Sequence, residues 1–377
     1  MELGIVGINS RAIASSARKL GFSVFLVDYF LDADVVADEH HALQTDPLRP
    51  DLGNEYSKEA LVDLAIEKLA GRVEDIIPTS EVGCSPKLIK KLEHHFRVLG
   101  NGSAQVRGAK DWRMLKKMLD EVGVEYPETK VASSLKGVRT AAEKMGYPVV
   151  VKGNGLKAVL LDEPSLQGFD SEVPEGGFLV QEYVEGIAVS CSVVCGGESA
   201  SAVSVNRQLI GLQEFGVGGF SYCGNIVPLG SGWDERIAEK ATELTAALSL
   251  CGSVGVDFLL AEDKVIFMEV NTRLQDTFEC VERYRGINLV DEHLRALEGE
   301  IREYVRELGC FGKGILYAKE DTVVGDLSAA GDVGDVPLPG SLIKVGEPVC
   351  STYSMGAGPD AVLSSLKDAA ARIFSGF

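Results

Sequence analysis

Late in the chain, Glu269-Val-Asn271-Thr-Arg273 sets an acid, an amide and a guanidinium at alternate positions. Side chains alternate across a strand, so these three project to one face. Residues 255–271 have the pattern of a hairpin turning at Glu262-Asp263, and Asp257 on its first strand is brought near Glu269. Two carboxylates and an amide oxygen on one sheet surface make a hard-oxygen site suited to Mg²⁺ holding a nucleoside triphosphate. A guanidinium two residues along can grip a phosphoryl oxygen in forked geometry. The competing reading is a solvated strand face with surface ion pairs. Against it, the charged face directly follows the very apolar Val265-Ile-Phe-Met268.

Upstream, Tyr147-Pro-Val-Val-Val-Lys152-Gly-Asn-Gly155 ends a buried-looking strand in a lysine and a glycine turn. A lysine so placed meets phosphates together with backbone N–H groups, although a lysine after a strand is by itself weak evidence. In Leu179-Val-Gln181-Glu-Tyr-Val184-Glu-Gly186, an edge segment can read an adenine edge, with Gln181 on the exocyclic amine. Read alone, it is a strand ending in a turn. Arg207, followed by the glycine-rich stretch 215–224, is expected beside the site, paired with an anionic substrate or phosphate under a mobile glycine cover. An exposed strand arginine and a passive hairpin are the alternative. Cys223 has no neighbouring base that would make it a nucleophile.

The elements around these residues alternate. A short apolar run at 3–7, a helical pattern at 10–20 and a second apolar run at 23–27 closed by Asp28 read as a strand–helix–strand unit. Helix 58–70, apolar 75–78 and helix 86–94 continue it, so residues 1–100 read as an open parallel-sheet α/β domain. Its first turn, Gly7-Ile-Asn-Ser-Arg-Ala, lacks the full G-x-G-x-x-G fingerprint and is read as tight packing. A charged amphipathic helix at 110–122 opens the next part, and a helix at 360–374 closes the chain.

The whole chain has 377 residues, 45% hydrophobic and 25% charged, and a net charge of −19. Such an acidic surface repels phosphate backbones and anionic lipid, which argues against nucleic-acid or membrane partners. No apolar run approaches the ~20 residues of a membrane helix, and the start shows no secretory pattern. Eight scattered cysteines, of which only Cys191 and Cys195 lie close, read as reduced thiols and a cytoplasmic protein.

The order strand-lysine, Gln-Glu-Tyr-Val-x-Gly, and Val-Asp-Phe followed by Glu-x-Asn-x-Arg resembles the ATP-grasp superfamily. The tail from Asn271 through Gly286-Ile-Asn-Leu-Val-Asp-Glu-His-Leu-Arg295 is similar to archaeal predicted carboligases related to biotin carboxylase. The resemblance implies a pre-ATP-grasp α/β domain (1–100), a two-lobed α+β ATP-grasp domain (101–300, lid lobe about 130–185) and a small C-terminal α+β appendage (301–377). It implies ATP and Mg²⁺, with Mn²⁺ as the alternative ion. Asp257, Glu269 and Asn271 would be metal ligands, and Lys110 and Lys152 would hold the phosphates. Gln181 and the backbone of Glu182 and Val184 would bind adenine, and Arg273 would sit at the transferred phosphate. The implied reaction activates a small-molecule carboxylate as an acylphosphate for attack by an amine, in an enzyme of a type that is often a homodimer.

Three positions depart from the family pattern. The usual Asp-Lys order is inverted in Lys110-Asp111-Trp112, the phosphate-covering loop is cut to Gly153-Asn-Gly-Leu-Lys157, and Ala188 replaces a ribose-binding acid. Each removes a hydrogen bond or two, about 1–3 kcal/mol apiece. Biotin-carboxylase-like carboxylation and a non-catalytic ATP-binding protein are the alternatives carried forward.

Overall fold

The computed structural model describes residues 1–44, 56–153, 156–174, 176–327 and 329–376; Asn154 and Gly155 of the expected phosphate loop lie outside them. Within the described residues the strands form three main sheets. The first is five-stranded and wholly parallel, with Glu2–Val6 between Ser23–Asp28 and Asp75–Pro78. Its buried strands read as near-continuous apolar runs because helices such as Arg11–Lys19 and Lys58–Leu69 connect them. The strand order reverses at Glu2–Val6, and the carboxyl ends of such strands leave a crevice there. Gly7 sits at that point, where a Cβ would collide with the Thr79 hydroxyl. Packing therefore demands that glycine, as the incomplete fingerprint suggested. Asp28 is buried against His40, 2.8 Å away.

The second sheet is antiparallel, in the order Thr129–Ala132, Phe178–Glu182, Val149–Gly153, Leu156–Leu161. The helix Leu135–Met145 covers it over a small core of Val138, Val149, Val151, Phe178 and Val180. The third is an eight-stranded sheet in which Lys264–Asn271 and Cys251–Ala261 lead into Ile187–Gly196, Ala200–Ile210 and Tyr222–Val227. Cys310–Tyr317 and Pro348–Gly356 continue the same ladder. The C-terminal segment, expected as an appendage, is thus hydrogen-bonded into the sheet that carries the Glu-x-Asn-x-Arg strand.

One expected element divides. Instead of one helix over 110–122 there are two, Ser103–Lys110 and Trp112–Val122, broken at Asp111. Asp111 has extended backbone, and its carboxylate accepts the N–H groups of Arg113 and Met114 as an N-cap. Lys110 therefore ends one helix and Asp111 starts the next.

Candidate phosphate and metal site

The hairpin Cys251–Ala261/Lys264–Asn271 forms because β-branched and aromatic residues alternate inward and Glu262 accepts a left-handed turn at φ 54. Asp257 stands directly opposite Glu269, and Gly255 opposite Asn271. The register shifts after Asp257, where Phe258 pairs with Phe267 and Met268 is the extra residue. This bulge decides the site. Val265 and Phe267 pack into the core beneath the sheet, and without the extra residue Glu269 would follow them inward. With it, Glu269 and Asn271 emerge on the other face beside Asp257.

The bulged Met268 carbonyl accepts the Lys152 ammonium at 3.1 Å. Lys110 reaches the same strand from the helix end, its Nζ 2.6 Å from Glu269 Oε1 and 3.4 Å from the Val270 carbonyl. Two lysines from separate elements converge on the strand of Glu269. Inversion of the Lys-Asp order has not moved Lys110 away, because the Asp111 break lets each residue take its own role. Burial pushes the Lys152 ammonium below its ordinary range despite Glu269 nearby. For Lys110 burial acts the same way, but contact with Glu269 outweighs it and raises the pKa. Surrounding protein would raise the Glu269 carboxyl, yet Lys110 and then Lys152 hold it below the usual range. Burial, reinforced by Glu269, pushes Asp257 up to about 7.

Asp257 is held by two amides, with Asn271 Nδ2 donating to Oδ2 at 2.9 Å and Gln208 Nε2 to Oδ1 at 3.1 Å. Gln208 reaches across the intervening strand, where Ser190 pairs with both Asp257 and Asn206. Asn206 Oδ1 and Asn225 Oδ1, both fully buried, have no hydrogen-bond donor. Buried amide oxygens left so are costly unless something fills them. Asp257, Glu269 and Asn271 offer two carboxylates and an amide oxygen, a donor set that fits Mg²⁺; among the described residues no third carboxylate, His or Cys completes a cluster. Sequence reasoning missed Asn206, Gln208 and Asn225. The signal lay in the alternation of Asn206 and Gln208 along one strand.

Arg207 is a correction. It lies between those two residues and opposite the buried Val189, so it points away from the Asp257 face, and its nearest acid is Asp360, 3.6 Å away in the last helix. Strand parity excludes it from the site. In the stretch after it, Phe215 is fully buried against Gly314, while residues 218–221 are exposed.

Arg273 follows the strand exit, beneath the turn Val82–Cys84 of the first domain. A Cβ on Gly83 would come within 2.8 Å of the Arg273 Cβ, so only glycine permits the approach. The guanidinium donates to the Leu274 carbonyl at 2.9 Å and stands 3.7 Å from Asp276, while its buried Nε has no acceptor.

In the four-stranded antiparallel sheet, Gln181 is buried, its Nε2 donating to Thr129 Oγ1 at 2.8 Å and its Oε1 unpartnered. An acceptor is thus left for an amine. The Glu182 N–H donates to the Glu128 carbonyl at 3.0 Å. Val184 lies in the loop just after, half-buried.

The model of the ATP-grasp domain matches residues 109–277, the span that holds Lys110, Lys152, Gln181, Asp257, Glu269, Asn271 and Arg273. Residues 109–277 are an ATP-grasp domain. The chain is 26% identical over 355 residues to an uncharacterized protein of Methanocaldococcus jannaschii, covering 93% of this chain and 87% of that one. It is 28% identical over 233 residues to the C-terminal section of the carbamoyl phosphate synthase large chain of Methanopyrus kandleri, which covers 58% of this chain and only 42% of that section. In fold, the chain is similar to the biotin carboxylase domain of Hydrogenobacter thermophilus 2-oxoglutarate carboxylase, solved with MgADP and bicarbonate. That likeness has a TM-score of 0.73 at 16% identity, over 98% of this chain and 89% of that one. N5-carboxyaminoimidazole synthetase from Staphylococcus aureus gives 0.70 at 17%, over 99% and 97%. The likeness in fold to these structures extends beyond residues 109–277 to nearly the whole chain.

Proposed function

We propose that this protein is an ATP-dependent ligase that activates a small-molecule carboxylate as an acylphosphate for attack by an amine, releasing ADP and phosphate. The observation that supports it is the meeting of Lys110 and Lys152, from separate elements, on the strand of Glu269 opposite Asp257. In this reading Lys152 and Lys110 leave their protein acceptors for ATP phosphates, and Gln181 Oε1 accepts from the adenine amine. Asp257, Glu269 and Asn271 hold Mg²⁺, which when bound neutralises charge on the transferring phosphoryl group. Arg273, with its free Nε, binds the γ-phosphoryl oxygens and then the acylphosphate. The acid's oxygen attacks the γ-phosphorus, the bond to ADP breaks, and the amine then displaces phosphate from the acyl carbon. An intracellular setting supplies ATP and suits the unpaired cysteines.

Lys152→Ala is expected to weaken ATP binding about 10–100-fold in titration calorimetry, the worth of one or two charge-assisted hydrogen bonds. Arg207→Ala, on the opposite face, should stay within twofold of the parent; equal affinity in all three proteins would remove Lys152 from the site. An ADP-release screen of acids paired with amines tests the reaction itself. Strict dependence on bicarbonate would identify carboxylation instead, and tight ATP binding with no turnover would identify a non-catalytic binder.

A further inference from the structure

A cavity of about 400 Å³ lies where the crevice of the parallel sheet meets the Arg273 exit and the C-terminal strands. Arg273, two residues past Asn271, lines its wall and supplies a guanidinium for an anion. Its walls mix apolar side chains, including Phe30, Leu31, Ile315 and Leu342, with polar ones such as Asn9, Gln44 and Gln275. Its other lining cation, Lys313, is consumed by Asp335 at 3.2 Å and Glu279 at 3.5 Å. The lining acids differ in the same way. Asp335 is paired, Asp276 faces Arg273, and Glu347 accepts the Lys344 N–H at 2.9 Å. Asp32 alone among them, within the described residues, has no hydrogen bond or ion pair on its carboxyl. The charges around Asp32 are mostly negative, Asp335, Asp28 and Asp34, and burial with that repulsion pushes it up to about 8. The one opposing group, Arg11, is spent on Asp335 and Glu279.

From this juxtaposition we infer that the acid activated at this site is an amino acid with an apolar middle, its carboxylate at Arg273 and its ammonium on Asp32. The assignment rests on the ligase reading and specifies its substrate class. An ammonium is the partner that the Asp32 carboxyl lacks, and a second carboxylate there would meet repulsion. Asp32 acts as a specificity residue, remote from the reacting atoms.

The test uses the full chain with MgATP and hydroxylamine as the nucleophile. The acid's oxygen takes the γ-phosphoryl group as ADP leaves, then the hydroxylamine nitrogen takes the acyl group as phosphate leaves, giving a coloured hydroxamate. The probes are straight-chain ω-amino acids of four to eight carbons, the matching monoacids, and the matching diacids. The parent should favour the best amino acid over its monoacid by at least tenfold in kcat/KM. Asp32→Asn and Asp32→Ser should bring that ratio within about twofold while ATP affinity stays unchanged. A preference for monoacids or diacids, or an amino-acid preference that survives both substitutions, overturns the Asp32 assignment and leaves the ligase standing. Hydroxamate from none of the acids, with ATP bound normally, overturns both.

Discussion

Glu269→Gln should abolish Mg²⁺-dependent turnover, lowering kcat by at least about 100-fold, while the protein unfolds at nearly the same urea concentration as its parent. The size of the effect follows from what one carboxylate does at this point. Glu269 faces Asp257 across the ladder and holds Lys110 at 2.6 Å, so its loss removes a proposed metal ligand and frees a lysine. Groups that stabilise charge on a transferring phosphoryl or acyl centre are worth roughly two to three decades in rate each. Stability should barely change, because the Glu269 side chain is 52% exposed and outside the core. Parent-like kcat at saturating Mg²⁺ would refute the metal assignment. A collapse of stability would instead show that the ion pair is structural.

Asp335→Asn should cost about 3–5 kcal/mol of folding stability, the usual consequence of stripping a buried ion network of one partner. Arg11, from the first helix, donates to Asp335 at 2.8 Å and to Glu279 at 2.8 Å, and Lys313 lies 3.2 Å from Asp335. Ser351 and Tyr353 close the cluster from the Pro348–Gly356 strand. The cluster ties the first helix, the helix Phe278–Arg285 and the C-terminal strands together, with the ion-paired side chains no more than 16% exposed. Burial alone would raise the Asp335 carboxyl, but Lys313 and Arg11 hold it well below the usual carboxylate range. A depressed folded pKa gives stability that is fully present above the unfolded value of about 3.9 and fades as pH falls toward the folded one. Urea unfolding of parent and variant should therefore differ by a constant amount from pH 8 to about 5, with the gap narrowing below about pH 4. A gap that instead widens on acidification would contradict the sign of this linkage.

Much of this molecule is local. The runs at 2–6, 23–28 and 75–78 and the helix over 135–145 follow from composition and period, because a buried parallel strand or an amphipathic helix needs no distant information to declare itself. The Glu-x-Asn-x-Arg exit and Lys152 were legible for the same reason, since their side-chain types and spacing are written in one short stretch. Tertiary structure alone chose the rest. Which face Glu269 takes depends on a single extra residue, Met268, paired against a strand the sequence does not label. Arg207 and its neighbours Asn206 and Gln208 could be told apart only by strand register, because a shift of one residue exchanges inside for outside. The Asp335 cluster joins residues hundreds of positions apart, as does the chamber between Asp32 and Arg273. Contacts of that range arise from how the sheets stack, and no short window of sequence encodes them.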